Sequence, residues 1–258
     1  MVVIDLAGKT ILVTGGSRGI GEGITRLLCE AGARVVFTWT GRPEAAARVQ
    51  ALVDGIRADG GSVEAVAVDA RDFEATRRLV QDIEEERGRV DALVCNVGKN
   101  TARAADQLSA EDWKEGLALN LDTSFFAVRA SLPGMLSRGG GRIILIGSSA
   151  VIDGGGGAID YAAAKAALTG LMTYLCRVYA RRGILTNIVH PCVIETELLR
   201  ERYAEPAARQ KLLDQVPAGR FGQPRDVAGM VAFLASSWGD YITGQEILLD
   251  GGRTIFRG

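Results

Sequence analysis

Tyr161 and Lys165 lie four residues apart in Tyr-Ala-Ala-Ala-Lys, a strongly helical stretch. That spacing puts both side chains on one helix face. A free tyrosine titrates near pH 10 and exchanges protons poorly at neutral pH. An adjacent ammonium favours tyrosinate. At about 4 Å and an effective dielectric of about 20 the attraction is on the order of 4 kcal/mol, enough to lower the phenol by up to three pH units. A second chemical feature is Thr14-Gly-Gly-Ser-Arg-Gly-Ile-Gly21, between a short apolar run and a helical one. Its glycines bare backbone N–H groups at a helix N-terminus, where the dipole favours a pyrophosphate. Their spacing is G-x-x-x-G-x-G, not G-x-G-x-x-G. Third, Asn120 sits among leucines in Leu117-Ala-Leu-Asn-Leu. Buried there it needs hydrogen-bond partners, either catalytic ones or those of a structural, helix-bending residue.

The elements that must position these groups alternate along the chain. Short runs rich in Val, Ile and Leu recur at Ile11–Val13, Arg34–Thr40, Val63–Val68, Ala92–Cys95, Arg142–Ile146, Leu185–Val189 and Glu246–Leu249. They lack apolar/polar alternation, as expected of strands covered on both faces. Helical stretches lie between them at Gly21–Ala31, Pro43–Ala58, Phe73–Arg87 and Tyr161–Arg181, with two more in Ala110–Ser137. This alternation predicts one α/β domain over 1–258: a doubly wound, mainly parallel seven-stranded sheet with helices on both faces. Gly154–Gly157 reads either as a flexible connector or as a loop lining a site.

Composition excludes several functions. Thirty Lys+Arg against 31 Asp+Glu give no general attraction to nucleic acid or anionic membrane. Four isolated cysteines and one histidine offer no C-x-x-C pattern and little for zinc, so no metal is expected. No signal-peptide core or bilayer-length apolar run is present, and the expectation is a soluble cytoplasmic protein.

Thr14-Gly-x-x-x-Gly-x-Gly21 after the first strand resembles the short-chain dehydrogenase/reductase family. Further likenesses follow in order along nearly the whole chain. Asp69 resembles the acid that contacts adenine. Asn96-Val97-Gly98 resembles the family's Asn-Ala-Gly, with Val97 in place of Ala. Asn120, Ser148, Tyr161 and Lys165 resemble its catalytic four. Asn187–Thr196 resembles the Pro-Gly turn beside the nicotinamide, and Asp250-Gly-Gly the closing strand end. The likeness implies a cofactor half over about 1–140 and a catalytic and substrate half over about 141–258. It implies dinucleotide contacts from Gly15, Ser17, Arg18, Gly19, Ile20, Gly21, Thr38, Arg42, Asp69, Ala70, Asn96, Gly98, Tyr161, Lys165, Pro191, Val193, Ile194 and Thr196. Ser148 would hold the substrate oxygen, Asn120 would complete a water-mediated relay to Lys165, and a mobile lid would span about 195–215. A homotetramer or homodimer is also implied.

The stretch after the second strand, Phe37–Arg42, holds no acid to read a ribose 2′-hydroxyl. Arg18 and Arg42 can instead bind a 2′-phosphate with forked hydrogen bonds, which predicts NADP(H); for Arg42 a solvated loop position is the alternative. Cys192 replaces the family glycine and would be strained if a positive φ were required there; the favoured alternative is a slightly altered turn that keeps cofactor contact through the Val193–Ile194 backbone and Thr196. His190 reads as structural.

The branch most resembled is the 3-oxoacyl-carrier-protein reductases, through Gln215–Gly222, Val193–Thr196, Phe233–Ser236 and Ile242–Gln245. This implies a ketone or acyl-thioester substrate, with carrier docking through Arg182. A second carrier-binding arginine position holds Gly139, with Arg138 beside it. Two other activities carry the same motifs: a sugar or polyol dehydrogenase, and a non-catalytic dinucleotide-binding regulator, whose usual mark is loss of the Tyr or Lys.

Overall fold

The computed structural model describes residues 3–255. Seven strands form one fully parallel sheet: β1 (Thr10–Thr14), β2 (Arg34–Trp39), β3 (Ser62–Ala67), β4 (Ala92–Cys95), β5 (Gly141–Ile146), β6 (Ile184–Pro191) and β7 (Glu246–Leu249). Their order is β3-β2-β1-β4-β5-β6-β7. The helices between them are α1 (Gly19–Glu30), α2 (Pro43–Ala58), α3 (Phe73–Arg87), α4 (Ala110–Leu117), α5 (Thr123–Ser137), α6 (Ala150–Asp153), α7 (Ile159–Tyr179), α8 (Glu197–Arg202), α9 (Pro206–Leu213) and α10 (Pro224–Ala235).

The apolar runs follow from double coverage. In β1, Ile11 and Val13 enter one core, with α1, α2 and α10, while Leu12 enters the other, with α3, α5 and α7. β2, β4 and β5 split in the same way: Ile144 and Ile146 face the first core, Ile143 and Leu145 the second. Each fully buried Val, Leu or Ile contributes roughly 1.5–3 kcal/mol, so a polar residue on either side of these strands would be costly.

The order reverses direction between β1 and β4, where ligands of open α/β sheets bind beyond the strand ends. Three features refine the expected elements. α1 begins at Gly19, two residues early, so the glycine-rich turn is shorter than its motif. The helices of 110–137 are joined without a break by five π-helical residues, Ala118–Asp122, around Asn120. The expected lid is mostly helical, as α8 and α9, and α10 follows it.

Candidate functional site

The turn after β1 is held by both neighbouring strands. Thr14 Oγ1 accepts from the Asn96 N–H at 3.1 Å, and Asn96 Nδ2 donates to the Gly15 carbonyl at 2.9 Å. Thr38 Oγ1 accepts from the Gly15 N–H at 3.0 Å. The Thr38 side chain is buried and supports the turn from behind through this bond. Gly15 and Gly19 take left-handed φ values of 67° and 54°. A Cβ on Gly21 would stand 2.1 Å from the Gly15 carbonyl oxygen, so only hydrogen fits there.

Asp72, Ser109 and Thr196 cap the N-termini of their own helices through side chains. Arg18 and Arg42 occupy the cap positions of α1 and α2 and supply no such bond. The first N–H groups of α1 therefore lack a capping side chain and suit an anion, whereas α2 opens with Pro43, which has no N–H. Ser17 and Ile20 flank this turn, and Thr196 lies across it, its Cγ2 3.3 Å from where a Gly19 Cβ would be. Asp69, just past β3 and before Ala70, is exposed. Its carboxyl is held below the usual range mainly by a two-pronged hydrogen bond from Arg71, at 3.0 and 2.8 Å.

α7 carries Tyr161 and Lys165 on the inward side of the same crevice. Lys165 is fully buried, its Nζ donating to the Ile146 carbonyl at 2.9 Å and standing 5.9 Å from the centre of the Tyr161 ring. Burial pulls the amine down to about 8. Burial also pushes the Tyr161 phenol up, with a hydrogen bond to Ser148 acting the other way. This corrects the expected lowering of Tyr161 by the ammonium: Nζ is turned to the strand carbonyl and desolvation of the phenolate dominates. The phenol thus keeps its proton at neutral pH.

Ser148, past the end of β5, accepts the Ala150 N–H on its Oγ at 3.2 Å. Asn120, almost wholly buried, donates to the carbonyls of Gly116 (3.0 Å) and Lys99 (3.1 Å) and accepts the Lys99 N–H at 2.9 Å. It both shapes the π segment and fixes the loop after β4. A Cβ on Gly98 would lie 2.9 Å from Asn120 Oδ1 and 3.2 Å from Lys165 Nζ, so both polar groups flank one small space.

The turn after β6 is altered at the position of the family glycine. Cys192 has no positive φ; the left-handed residue is Val193, at φ 48°, alone among the described non-glycine residues. A β-branched residue in that region is strained. Val193 is held by pairing: its carbonyl accepts the Gly222 N–H at 3.1 Å, and Glu195 N–H donates to the Gly222 carbonyl at 2.7 Å, across the Ile194–Gly222 bridge. Nothing within residues 191–196 announces this, because the constraint comes from residue 222. The role of Thr14 was legible, since a threonine ends β1 directly before the glycines.

The expected carrier-binding cations are not equivalent. Arg138 is committed to Glu84 (3.0 Å) and the Val90 carbonyl (3.1 Å). Arg182 stacks over Tyr179 at 5.9 Å. Among the described residues no group of His, Cys, Asp or Glu could hold a metal ion, and no helix is long and apolar enough to cross a membrane.

Residues 15–254 match the family model described as enoyl-(acyl carrier protein) reductase. The chain is 39% identical to the 3-oxoacyl-(acyl-carrier-protein) reductase FabG of Vibrio cholerae serotype O1, covering 96% of this chain and 98% of that protein. It is 36% identical to the L-rhamnose 1-dehydrogenase (NAD(P)(+)) of Azotobacter vinelandii, covering 98% of each. Its structure is similar to that of a gluconate 5-dehydrogenase from Burkholderia cenocepacia J2315 in complex with NADP and tartrate, with a TM-score of 0.90, 32% identity and 98% of each chain covered. These likenesses span the glycine-rich turn, the switch-point crevice and the Tyr161–Lys165 helix alike, and the chain belongs to the short-chain dehydrogenase/reductase family of NAD(P)-dependent oxidoreductases.

Proposed function

We propose that the chain reduces a ketone to a secondary alcohol with NADPH, with Tyr161 as proton donor. The observation that carries this reading is a half-buried phenol beside the Ser148 hydroxyl, on the same helix face as the buried Lys165 amine, which stands 5.9 Å from its ring centre. The uncapped α1 terminus, the left-handed turn and the room kept by Gly21 fit a dinucleotide diphosphate. Gly15, Ser17, Arg18, Gly19, Ile20 and Gly21 would hold that diphosphate. Asp69, Ala70, Asn96 and Gly98 would line the adenosine side, and Pro191, Val193, Ile194 and Thr196 the nicotinamide side. When bound, the cofactor supplies the hydride.

The chain's own residues do the rest. Ser148 Oγ accepts the Ala150 N–H, and its hydroxyl proton, which lies toward the Tyr161 phenol, would turn to the ketone oxygen and orient it. Tyr161 donates its proton to that oxygen as negative charge develops. Lys165 supplies positive charge near the phenolate left behind and would bind the nicotinamide ribose. Asn120 and Lys165, facing one space beside Gly98, would hold the water that returns a proton. NADPH over NADH is supported by Arg18 and Arg42 at two uncapped helix ends and by the lack of an acid after β2.

The favoured substrate is a 3-oxoacyl thioester or a related β-keto compound, by likeness to the Vibrio reductase. With Arg138 occupied, carrier docking would fall to Arg182. A second reading, an NAD(P)-dependent sugar or polyol dehydrogenase, is supported by the rhamnose and gluconate relatives at comparable identity. A homotetramer or homodimer is supported by exposed Phe125, Tyr174 and Val178 on α5 and α7, and light scattering tests it. For activity the test is nicotinamide absorbance with a β-ketoacyl thioester, comparing NADPH with NADH. Rapid NADPH oxidation supports the thioester reading; NADP+ reduction with a sugar acid and none with the thioester moves the assignment to the second.

A further inference from the structure

His190, the chain's only histidine, is buried at the end of β6 with no part in the steps above. Its ring lies between two elements. Nε2 is 2.9 Å from Glu246 Oε2 on the edge strand β7, and Nδ1 is 3.0 Å from the Ser148 backbone nitrogen. A carboxylate can only accept, so Nε2 carries the ring proton. In the neutral ring Nδ1 is then a lone pair, and the donor it meets is the Ser148 N–H. The same nitrogen lies 3.0 Å from the Ser148 carbonyl oxygen, a contact this tautomer cannot use as a hydrogen bond. The β5–β4 ladder stops at Leu145–Cys95, leaving Ser148 beyond it. The flanking amides are engaged elsewhere: Gly147 N–H donates to the Val189 carbonyl and Ser149 N–H to that of Pro191. Space is also reserved for the ring, since a Cβ on Gly147 would stand 2.3 Å from His190 Nδ1.

We infer that His190 is a positioning residue for Ser148. Glu246 fixes its tautomer, and its Nδ1 fixes the Ser148 peptide and hence the direction of the hydroxyl that meets the substrate. The inference rests on the reductase reading above for its consequence, but its geometry is testable without turnover.

With the histidine ring nitrogen-15 labelled, one residue gives the whole signal. The expected result is a slowly exchanging Nε2–H tautomer with coupling from Nδ1 to the Ser148 amide. A Nδ1–H tautomer, or averaging of the two, overturns the inference. In kinetics, His190→Leu removes the acceptor and His190→Asn restores one at the Nδ1 position. His190→Leu is expected to lower kcat about tenfold, as a small misplacement of an orienting group does, with NADPH affinity by fluorescence titration unchanged. His190→Asn should recover most of the loss. Equal kcat in the two variants overturns the positioning role, and if His190→Leu does not fold, the wild-type nitrogen spectrum decides alone. A wild type with the Nε2–H tautomer that reduces no ketone overturns the reductase reading and leaves the hydrogen bond standing.

Discussion

At the scale of single residues, the site is built by desolvation more than by pairing. Burial pushes the Tyr161 phenol up and pulls Lys165 down to about 8. Tyr161→Phe should therefore lower ketone reduction by about 10²–10⁴-fold while leaving dinucleotide binding intact, as measured by initial rates and fluorescence titration. Lys165 also makes a stability prediction. Below about pH 8 the amine is protonated in both folded and unfolded chains, and the fold bears the full cost of burying the charge. Between about 8 and 10.5 the unfolded chain keeps the proton and the folded chain does not, so stability rises with pH across that window. Lys165→Met should be inactive yet melt higher than wild type at pH 7, with a gap that narrows toward pH 10. A gap independent of pH would show that the amine is not the cause. The sequence made the Tyr161–Lys165 pair legible through its spacing. It could not give the direction of the phenol's shift, which depends on how deeply α7 is packed.

At the scale of elements, the strands were legible because double burial leaves each one a continuous apolar run. The helix α10 was less so, although its signals were present: Pro224 opens it and Asp226 completes a capping box with Gln223. Its residues pack against α1 and the sheet, so no polar stripe marks it as amphipathic. In the turn after β6 the sequence placed the altered backbone near Cys192 but not the left-handed residue itself, because the pairing of Val193 with Gly222 is non-local. A left-handed valine stores about 1–3 kcal/mol. Val193→Gly should release part of it, offset by the entropy glycine brings to the unfolded chain. The expected net gain of about 1 kcal/mol raises Tm by 2–4 °C. A lower Tm in thermal unfolding would show that the turn is not strained.

At the scale of the whole molecule, the six-residue helix α8 ties together segments far apart in sequence. α8 is bonded to α2 through Glu197–Arg48 at 3.2 Å, and to the glycine loop through Arg202 and the Gly156 carbonyl at 2.7 Å. Gly154–Gly157 is thus more than a plain connector: its Gly156 carbonyl anchors α8. Arg202→Ala should free α8 from this loop; if the segment acts as the substrate lid, KM for the ketone rises several-fold with kcat changed less, as read in steady-state kinetics. On the cofactor side, Arg42→Ala should weaken NADPH about tenfold and leave NADH unaffected, because only the 2′-phosphate needs the lost charge-assisted bonds. Equal loss for both dinucleotides would place Arg42 away from that phosphate.

The close approach of Gly147 to the imidazole has a consequence for descent. A side chain at 147 and a histidine at 190 cannot share this space, so a lineage must lose the ring before it gains the methyl group. Across homologues the two positions should substitute as a pair and in that order, with Glu246 free to drift once the ring is gone.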